Sequence, residues 1–317
     1  MKQLVITEPG KAIWTDAPIP QPSPTEVLVK VEAVTTCPQW DLHIMNGEPM
    51  FSGMELSYPY HPGQPGHEMV GEVVAAGSEV VNFVPGTRVA VWRDSGSARP
   101  GAYAEYVALP SENLLPVKAD LKPEDIASLE LAMCVHVSFD QLAMLGSLQG
   151  KTLGITGLGP AGLIAVQIGK ALGAARVVAF DLVTERCELA LELGADEALD
   201  PADEKRDSRY LDFGLDMTGF PKAIDFLVRH TKTAVAVFGV LRDPMTFPPS
   251  HWYGGFTLMG YGDHNLGAAR RALSLIDIGA LRLAPLVTHQ MEFDAYEDGI
   301  ELLRNRQAIK ILFSIKG

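Results

Sequence analysis

The chain has 317 residues, more than one hydrophobic core ordinarily supports, so two domains are expected. An apolar fraction of 47% and a charged fraction of 21% are those of a globular protein that needs no disulfide staples. The formal charge of -13 excludes a nucleic-acid partner, which requires clustered Lys and Arg, and argues against an anionic membrane surface.

Met1 to Pro20 mixes Lys2, Glu8, Lys11 and Asp16 among apolar residues and lacks the continuous apolar core of a secretory signal. Val27, Val29, Val31 and Ala33 then alternate with Leu28, Lys30 and Glu32, the period of a half-buried strand. Short apolar runs at Val70–Ala75, Val89–Trp92 and Tyr103–Leu109 continue the pattern, separated by turn formers such as Val84-Pro85-Gly86 and Arg99-Pro100-Gly101. The first third reads as an all-β lobe.

Pro123-Glu124-Asp125 opens a helical stretch, and strand–helix alternation follows. Leu153–Thr156 and Arg176–Phe180 are predicted strands, and Ala161–Leu172 and Glu185–Leu193 predicted helices, the second closed by Gly194. Further buried strands are expected at Gly214–Met217 and Ala234–Val240, which implies a doubly wound parallel sheet with helices on both faces. The longest apolar stretch, Leu153–Ile168, contains Pro160, is interrupted by Gln167 and falls short of a membrane span. A helix at Ala268–Ile278, a strand at Leu286–Phe293, a helix near Glu297–Asn305 and a last strand at Ala308–Phe313 complete the chain. The expected domains are residues 1–137 and 263–317, a β-rich lobe built from both chain ends, and residues 138–262, an inserted dinucleotide-type unit. Cys37, Cys134 and Cys187 are too few and too widely spaced for a disulfide framework, which fits a reducing compartment such as the cytoplasm.

Gly157-Leu158-Gly159-Pro160-Ala161-Gly162 follows one predicted strand and opens a helix. Its first glycine permits a tight turn, its second lets a pyrophosphate approach, and its third lets the helix pack on the strand. A lone G-x-G-x-x-G is weak evidence, but Asp181 follows Gly162 by 19 residues, where an acid accepts hydrogen bonds from an adenine ribose. An acid there repels a 2′-phosphate and favours NAD over NADP, whereas the nearby Arg186 tolerates one. Asp181 is also placed to cap the helix that starts near Thr184.

Gly66-His67-Glu68 by itself is more often structural than metallic, but Cys37 and Cys134 change that. A catalytic zinc takes three N or S ligands and keeps a fourth position open, and Cys37, His67 and Cys134 supply such a set. A free cysteine is also a good small core residue, the reading given to Cys187.

The stretch from Gly66-His67-Glu68 through Gly71 and Gly77 to Val80 resembles the zinc signature of the medium-chain alcohol and polyol dehydrogenases. The spacing to Gly157–Gly162, the position of Asp181 and the ending Leu302–Lys310 are similar too, so the resemblance covers essentially the whole chain. It implies a GroES-like β-rich catalytic domain joined to a Rossmann cofactor domain. It further implies one catalytic zinc on Cys37, His67 and Cys134, with Glu68 able to approach the metal and Asp41 orienting His67. Phe238-Gly239-Val240 and Ser138 would border the nicotinamide, and Lys310 would approach the cofactor phosphates. The implied reaction passes hydride between a small alcohol and NAD across a cleft, in a homodimer or homotetramer.

Three departures stand out. Cys37-Pro38-Gln39-Trp40-Asp41 is one residue longer than the family pattern and puts Gln39 where a relay hydroxyl is usual, leaving Thr36, His43 or water to move the proton. Trp92-Arg93-Asp94-Ser95-Gly96-Ser97 lacks the four cysteines of the family's structural zinc, so no second zinc of that kind is expected. Many polyol-type relatives use a glutamate near the Cys134 position, which makes Glu130 a rival third ligand. Trp40, Trp92, Met50 and Phe51 are candidate substrate walls. A zinc-free enone or quinone reductase using NAD(P)H, and a non-catalytic NAD sensor, are the competing functions.

Overall fold

The computed structural model describes residues 1–51, 53–96, 98–206, 208–247, 249 and 254–315, so Ser97 lies outside the described residues. The chain divides into two compact units, Met1–Leu131 with Leu283–Gly317, and Ala132–Arg282.

The first unit is β-rich. A hairpin of β1 (Lys2–Glu8) and β2 (Lys11–Asp16), not anticipated from the sequence, forms its own small sheet. The main sheet is built on β3 (Glu26–Thr35), which pairs antiparallel with β4 (Glu68–Ala76), β6 (Tyr106–Pro110) and β15 (Lys310–Ser314). β5 (Arg88–Val91) and β7 (Leu114–Pro116) extend it beyond β4, and β14 (Val287–Glu292) lies outside β15. With neighbours along both edges, β3 is buried along most of its length, and only Lys30 and Glu32 of the alternation face water. Helix α1 (Pro38–Asn46) follows β3 directly, with Cys37 as its N-cap and Pro38 at its first turn, where proline's fixed φ suits a helix. Helix α8 (Tyr296–Arg304) precedes β15, and its Tyr296, Ile300 and Leu303 join the core with Leu4, Val29, Met69, Tyr103 and Phe313.

The second unit holds a six-stranded parallel sheet in the order β10-β9-β8-β11-β12-β13. Its strands are β8 (Thr152–Thr156), β9 (Arg176–Phe180), β10 (Glu197–Leu199), β11 (Leu211–Asp216), β12 (Thr231–Val237) and β13 (Thr257–Met259). Its helices include α4 (Pro160–Ala171), α5 (Thr184–Glu192), α6 (Pro221–His230) and α7 (Leu266–Asp277). β8 and β9 are near-continuously buried, as strands covered on both faces must be. Ile224, Leu227 and Val228 of α6 are buried at helical spacing and pack with Val178, Leu211 and Val235 of the sheet.

The division corrects the expected boundaries. It falls within α3 (Leu129–Ala143), and α7 belongs to the second unit rather than to the C-terminal part of the first. The reason is visible in the anchoring: Gln167 of α4 donates to the Arg282 carbonyl (3.0 Å) and accepts from its amide (2.8 Å), and Arg271 of α7 pairs with Asp140. The stretch Pro123–Ala143 is apolar and long enough to cross a membrane, and most of it is buried inside the protein.

Leu227 is fully buried beneath the sheet. Leu227→Ala is expected to destabilise the protein by about 2–5 kcal/mol in urea unfolding, the usual cost of such a cavity.

Candidate active site

In the first unit, the end of β3 and the start of β4 run side by side, with Thr35 opposite Glu68. That pairing sets Cys37, two residues past Thr35, beside His67, one residue before Glu68. Ligand atoms of Cys37, His67 and Glu68 lie within 4.8 Å of one another. Glu130, in the first turn of α3, brings Oε2 to 4.0 Å from His67 Nε2. His67 Nδ1 donates to the Pro65 carbonyl at 2.8 Å, because a carbonyl only accepts, and this leaves the Nε2 lone pair for a metal. Burial opposes the imidazolium of His67, yet the Cys37 side chain, Glu130 and Asp94 together hold its pKa well above the ordinary value. The field of this cluster favours a cation. A thiol, an imidazole and carboxylates gathered in one buried place fit a zinc ion in both donor type and number. Cys134 follows Glu130 by four residues on α3 and belongs to the second unit.

Two residues named from the resemblance have partners that the sequence does not announce. Lys310 is fully buried, donating to Glu68 Oε2 at 2.6 Å and to the Thr36 carbonyl at 2.5 Å. A buried ammonium goes to the nearest buried carboxylate, since an unpaired charge there is costly. Thr35 Oγ1 also donates to Glu68 Oε2 (3.2 Å), while Glu68 Oε1 is buried with no hydrogen-bond partner. The free oxygen is the one available to a metal. Asp41 takes its hydrogen bonds from groups other than His67. Its Oδ1 takes the hydroxyls of Tyr103 (2.9 Å) and Tyr296 (2.8 Å), and its Oδ2 takes the Cys37 amide (2.8 Å). Burial pushes the Asp41 carboxyl up to about 6 against these three donors, which pull it down.

Of the relay candidates, Thr36 is buried and its hydroxyl accepts from the Ile311 amide (3.0 Å), so it serves the β-sheet. His43 sits on α1 with Nδ1 3.2 Å from the Glu48 carbonyl. Trp40 stands edge-on to both Phe51 (5.8 Å) and His67 (6.5 Å), as a substrate wall would. Met50 is buried, and Trp92 is buried with its Nε1 donating to the Glu112 carbonyl, so Trp92 is core rather than wall.

In the second unit the C-terminal strand ends converge, the usual place for a nucleotide on a parallel sheet. Gly157 has φ +85, which a side chain would strain, and a Cβ on Gly162 would meet the Gly157 carbonyl oxygen at 1.9 Å. A Cβ on Gly159 would meet nothing within 4 Å, so that face of the loop is open to a pyrophosphate at the N-terminus of α4. Leu158 donates its amide to Asp181 Oδ2 (2.6 Å), and Val183 donates to Oδ1 (2.9 Å). Each carboxylate oxygen keeps a second lone pair for a ribose hydroxyl. Arg186 Nη1 is 3.9 Å from Asp181. Pro160 and Ala161 form the first turn of α4. Ser138 is buried on α3 with an unpartnered hydroxyl. Phe238-Gly239-Val240 follows β12, with Phe238 and Gly239 donating to the Asp216 carbonyl. Sequence reasoning missed Asp216, whose carboxylate accepts from Thr156, Thr218 and Gly219 and so ties the ends of β8 and β11 together. The only available signal was an acid ending a buried run.

Against known proteins, the chain matches the alcohol dehydrogenase GroES-like domain over residues 23–119 and the zinc-binding dehydrogenase family over residues 160–269. It is similar to an L-threonine 3-dehydrogenase of Shewanella frigidimarina, 31% identical over 353 aligned positions covering 99% of each chain. The enzyme of the same name from Pectobacterium atrosepticum is 29% identical, with 99% of this chain and 94% of the relative covered. Among solved structures, galactitol-1-phosphate dehydrogenase from Escherichia coli has a TM-score of 0.86 at 25% identity, covering 99% of this chain and 100% of that one. The 2R,3R-butanediol dehydrogenase of Bacillus subtilis has a TM-score of 0.87 at 24% identity, with 99% of each chain covered, and shares the fold.

Removing one member of a buried pair strands the other. Lys310→Met is expected to lower stability by about 3–5 kcal/mol in denaturant unfolding, and Lys310→Met with Glu68→Gln together by less than Lys310→Met alone.

Proposed function

The chain belongs to the zinc-type medium-chain dehydrogenase/reductase family, and from that premise we propose a specific working arrangement for its site. It is an oxidoreductase that acts on CH–OH donors with zinc and a nicotinamide cofactor. The reading proposed is a single catalytic zinc held by Cys37, His67 and Glu130, with Glu68 Oε1 as an exchangeable fourth donor and Cys134 as the rival third ligand. The convergence of Cys37, His67 and Glu68 within 4.8 Å, with Glu130 4.0 Å from His67, carries it. A metal-free reductase or a bare NAD sensor has no use for such a cluster.

Bound zinc supplies Lewis acidity that lowers the pKa of an alcohol, and bound NAD supplies the hydride acceptor. The chain's own residues do the rest. Trp40 and Phe51 wall the substrate beside His67 and exclude water. His43 or a water carries the hydroxyl proton outward. Leu158, Gly159 and the first turn of α4 take the pyrophosphate, Asp181 takes the ribose, and Ser138 with Phe238-Gly239-Val240 borders the nicotinamide. Asp181 supports NAD over NADP by repelling a 2′-phosphate. The substrate is proposed to be a secondary alcohol or polyol, in keeping with relatives named for threonine, butanediol and galactitol-1-phosphate. Cytoplasmic work as a homodimer or homotetramer is supported by three free cysteines and by the resemblance.

Metal analysis tests the ligand set. About one zinc per chain is expected. It should be lost in Cys37→Ala, His67→Ala and Glu130→Ala but kept in Cys134→Ala; retention in Glu130→Ala with loss in Cys134→Ala would transfer the ligand role to Cys134. A panel of secondary alcohols and polyols with NAD should then give hydride transfer. Asp181→Ala is expected to lower kcat/KM for NAD by about 10- to 100-fold, the worth of hydrogen bonds to a charged group, and to affect NADP much less.

A further inference from the structure

Asp41 is fully buried and accepts from three groups, the Cys37 amide and the hydroxyls of Tyr103 and Tyr296. These come from three separate places in the first unit: the N-cap of α1, the approach to β6 and the first residue of α8. The two tyrosine rings meet edge-on at 4.9 Å and pack on Phe313 at 6.0 and 5.7 Å. Tyr103 also meets Phe293, at 6.4 Å. Asp41 is thereby held from behind by a rigid aromatic wall.

Its grip on Cys37 is two-sided. The carboxylate accepts the Cys37 amide at 2.8 Å, and the Asp41 amide donates to the Cys37 carbonyl at 2.9 Å. Cys37 is an extended N-cap whose own side chain makes no cap hydrogen bond, so its thiol is left for other work. With the backbone clamped on both sides, only χ1 remains to place the sulfur. Helix capping is ordinarily done by Ser, Thr, Asn or Asp side chains that need no such enclosure. Full burial and two tyrosine donors are more than a cap requires.

We propose that Asp41, backed by Tyr103 and Tyr296, is a positioning residue that fixes the backbone of Cys37 and so presents its sulfur to the metal. The inference rests on the ligand set proposed above. It gives the extra residue between Cys37 and Asp41 a consequence: the acid is one step further along the helix, where it serves the cysteine rather than the histidine.

The test uses the full-length protein with cobalt in place of zinc, in wild type, Asp41→Asn, Tyr103→Phe and Tyr296→Phe. Two quantities are read: the thiolate-to-cobalt charge-transfer absorption and the rate of metal loss to a chelator. The expected result is a weakened or shifted band and metal loss roughly 10- to 100-fold faster in Asp41→Asn, with smaller changes in the same direction for each tyrosine variant. Variants that unfold more easily in urea, yet keep the wild-type band and release rate, would show a purely structural role and overturn the inference. Should Asp41→Asn not fold, the two tyrosine variants decide it by the same readouts. Wild-type protein that takes up cobalt without any thiolate band would remove Cys37 from the ligand set, a failure of the earlier reading and separately recognisable.

Discussion

A carboxylate buried at the first residue of a strand is costly unless charge or hydrogen bonds answer it, and in this chain a buried cation arrives from the other end of the sequence. Glu68 opens β4, Lys310 opens β15, and their contact at 2.6 Å is fully shielded from water. The same ammonium also holds the Thr36 carbonyl, immediately before Cys37. The C-terminal strand therefore does more than complete a sheet. It neutralises the acid next to His67 and pins the backbone that carries the cysteine. Such pairs add little net stability over apolar residues of the same volume, but they admit one register only, since any slip of β15 leaves two charges buried alone.

The second unit solves a different problem with the same economy of acids. Asp181 accepts the Leu158 amide from within the glycine loop, so the group that would read the ribose also braces the loop that would hold the pyrophosphate. Asp216 does the equivalent for the ends of β8 and β11. In both cases a carboxylate at a C-terminal strand end gathers backbone amides and hydroxyls into a fixed rim. The open face at Gly159 is left between them.

The sequence revealed those features whose cause is local. β9 was placed to the residue, and α4 and α5 within one residue at their N-termini, because alternation of buried runs with glycine-opened helices is a short-range signal. The His67–Glu68 pair and the glycine loop were legible for the same reason. What escaped was decided by distant partners. The environment of Lys310 is set by Glu68, 242 residues away. Asp41 answers to Tyr103 and Tyr296, neither of which has a periodicity that announces it. The hairpin of β1 and β2 and the helix α1 were missed because each is short and mixed in polarity. α7 was assigned to the wrong unit because its allegiance rests on Gln167 and Asp140, which no pattern within α7 shows.

Charge balance links these observations to the choice of metal ligands. Of the acids near His67, Glu68 shares its Oε2 with Lys310, and Asp41 is engaged by three donors. The anionic donors in the proposed ligand set are then the Cys37 thiolate and Glu130. Together with a neutral His67 they carry two negative charges, matching a divalent ion, and a buried site of zero net charge avoids the desolvation penalty that an excess of either sign would bring. Adding Cys134 as a further thiolate to that set would leave the site negative. By pairing with Glu68, Lys310 keeps that carboxylate from adding a further negative charge to the set proposed for the metal.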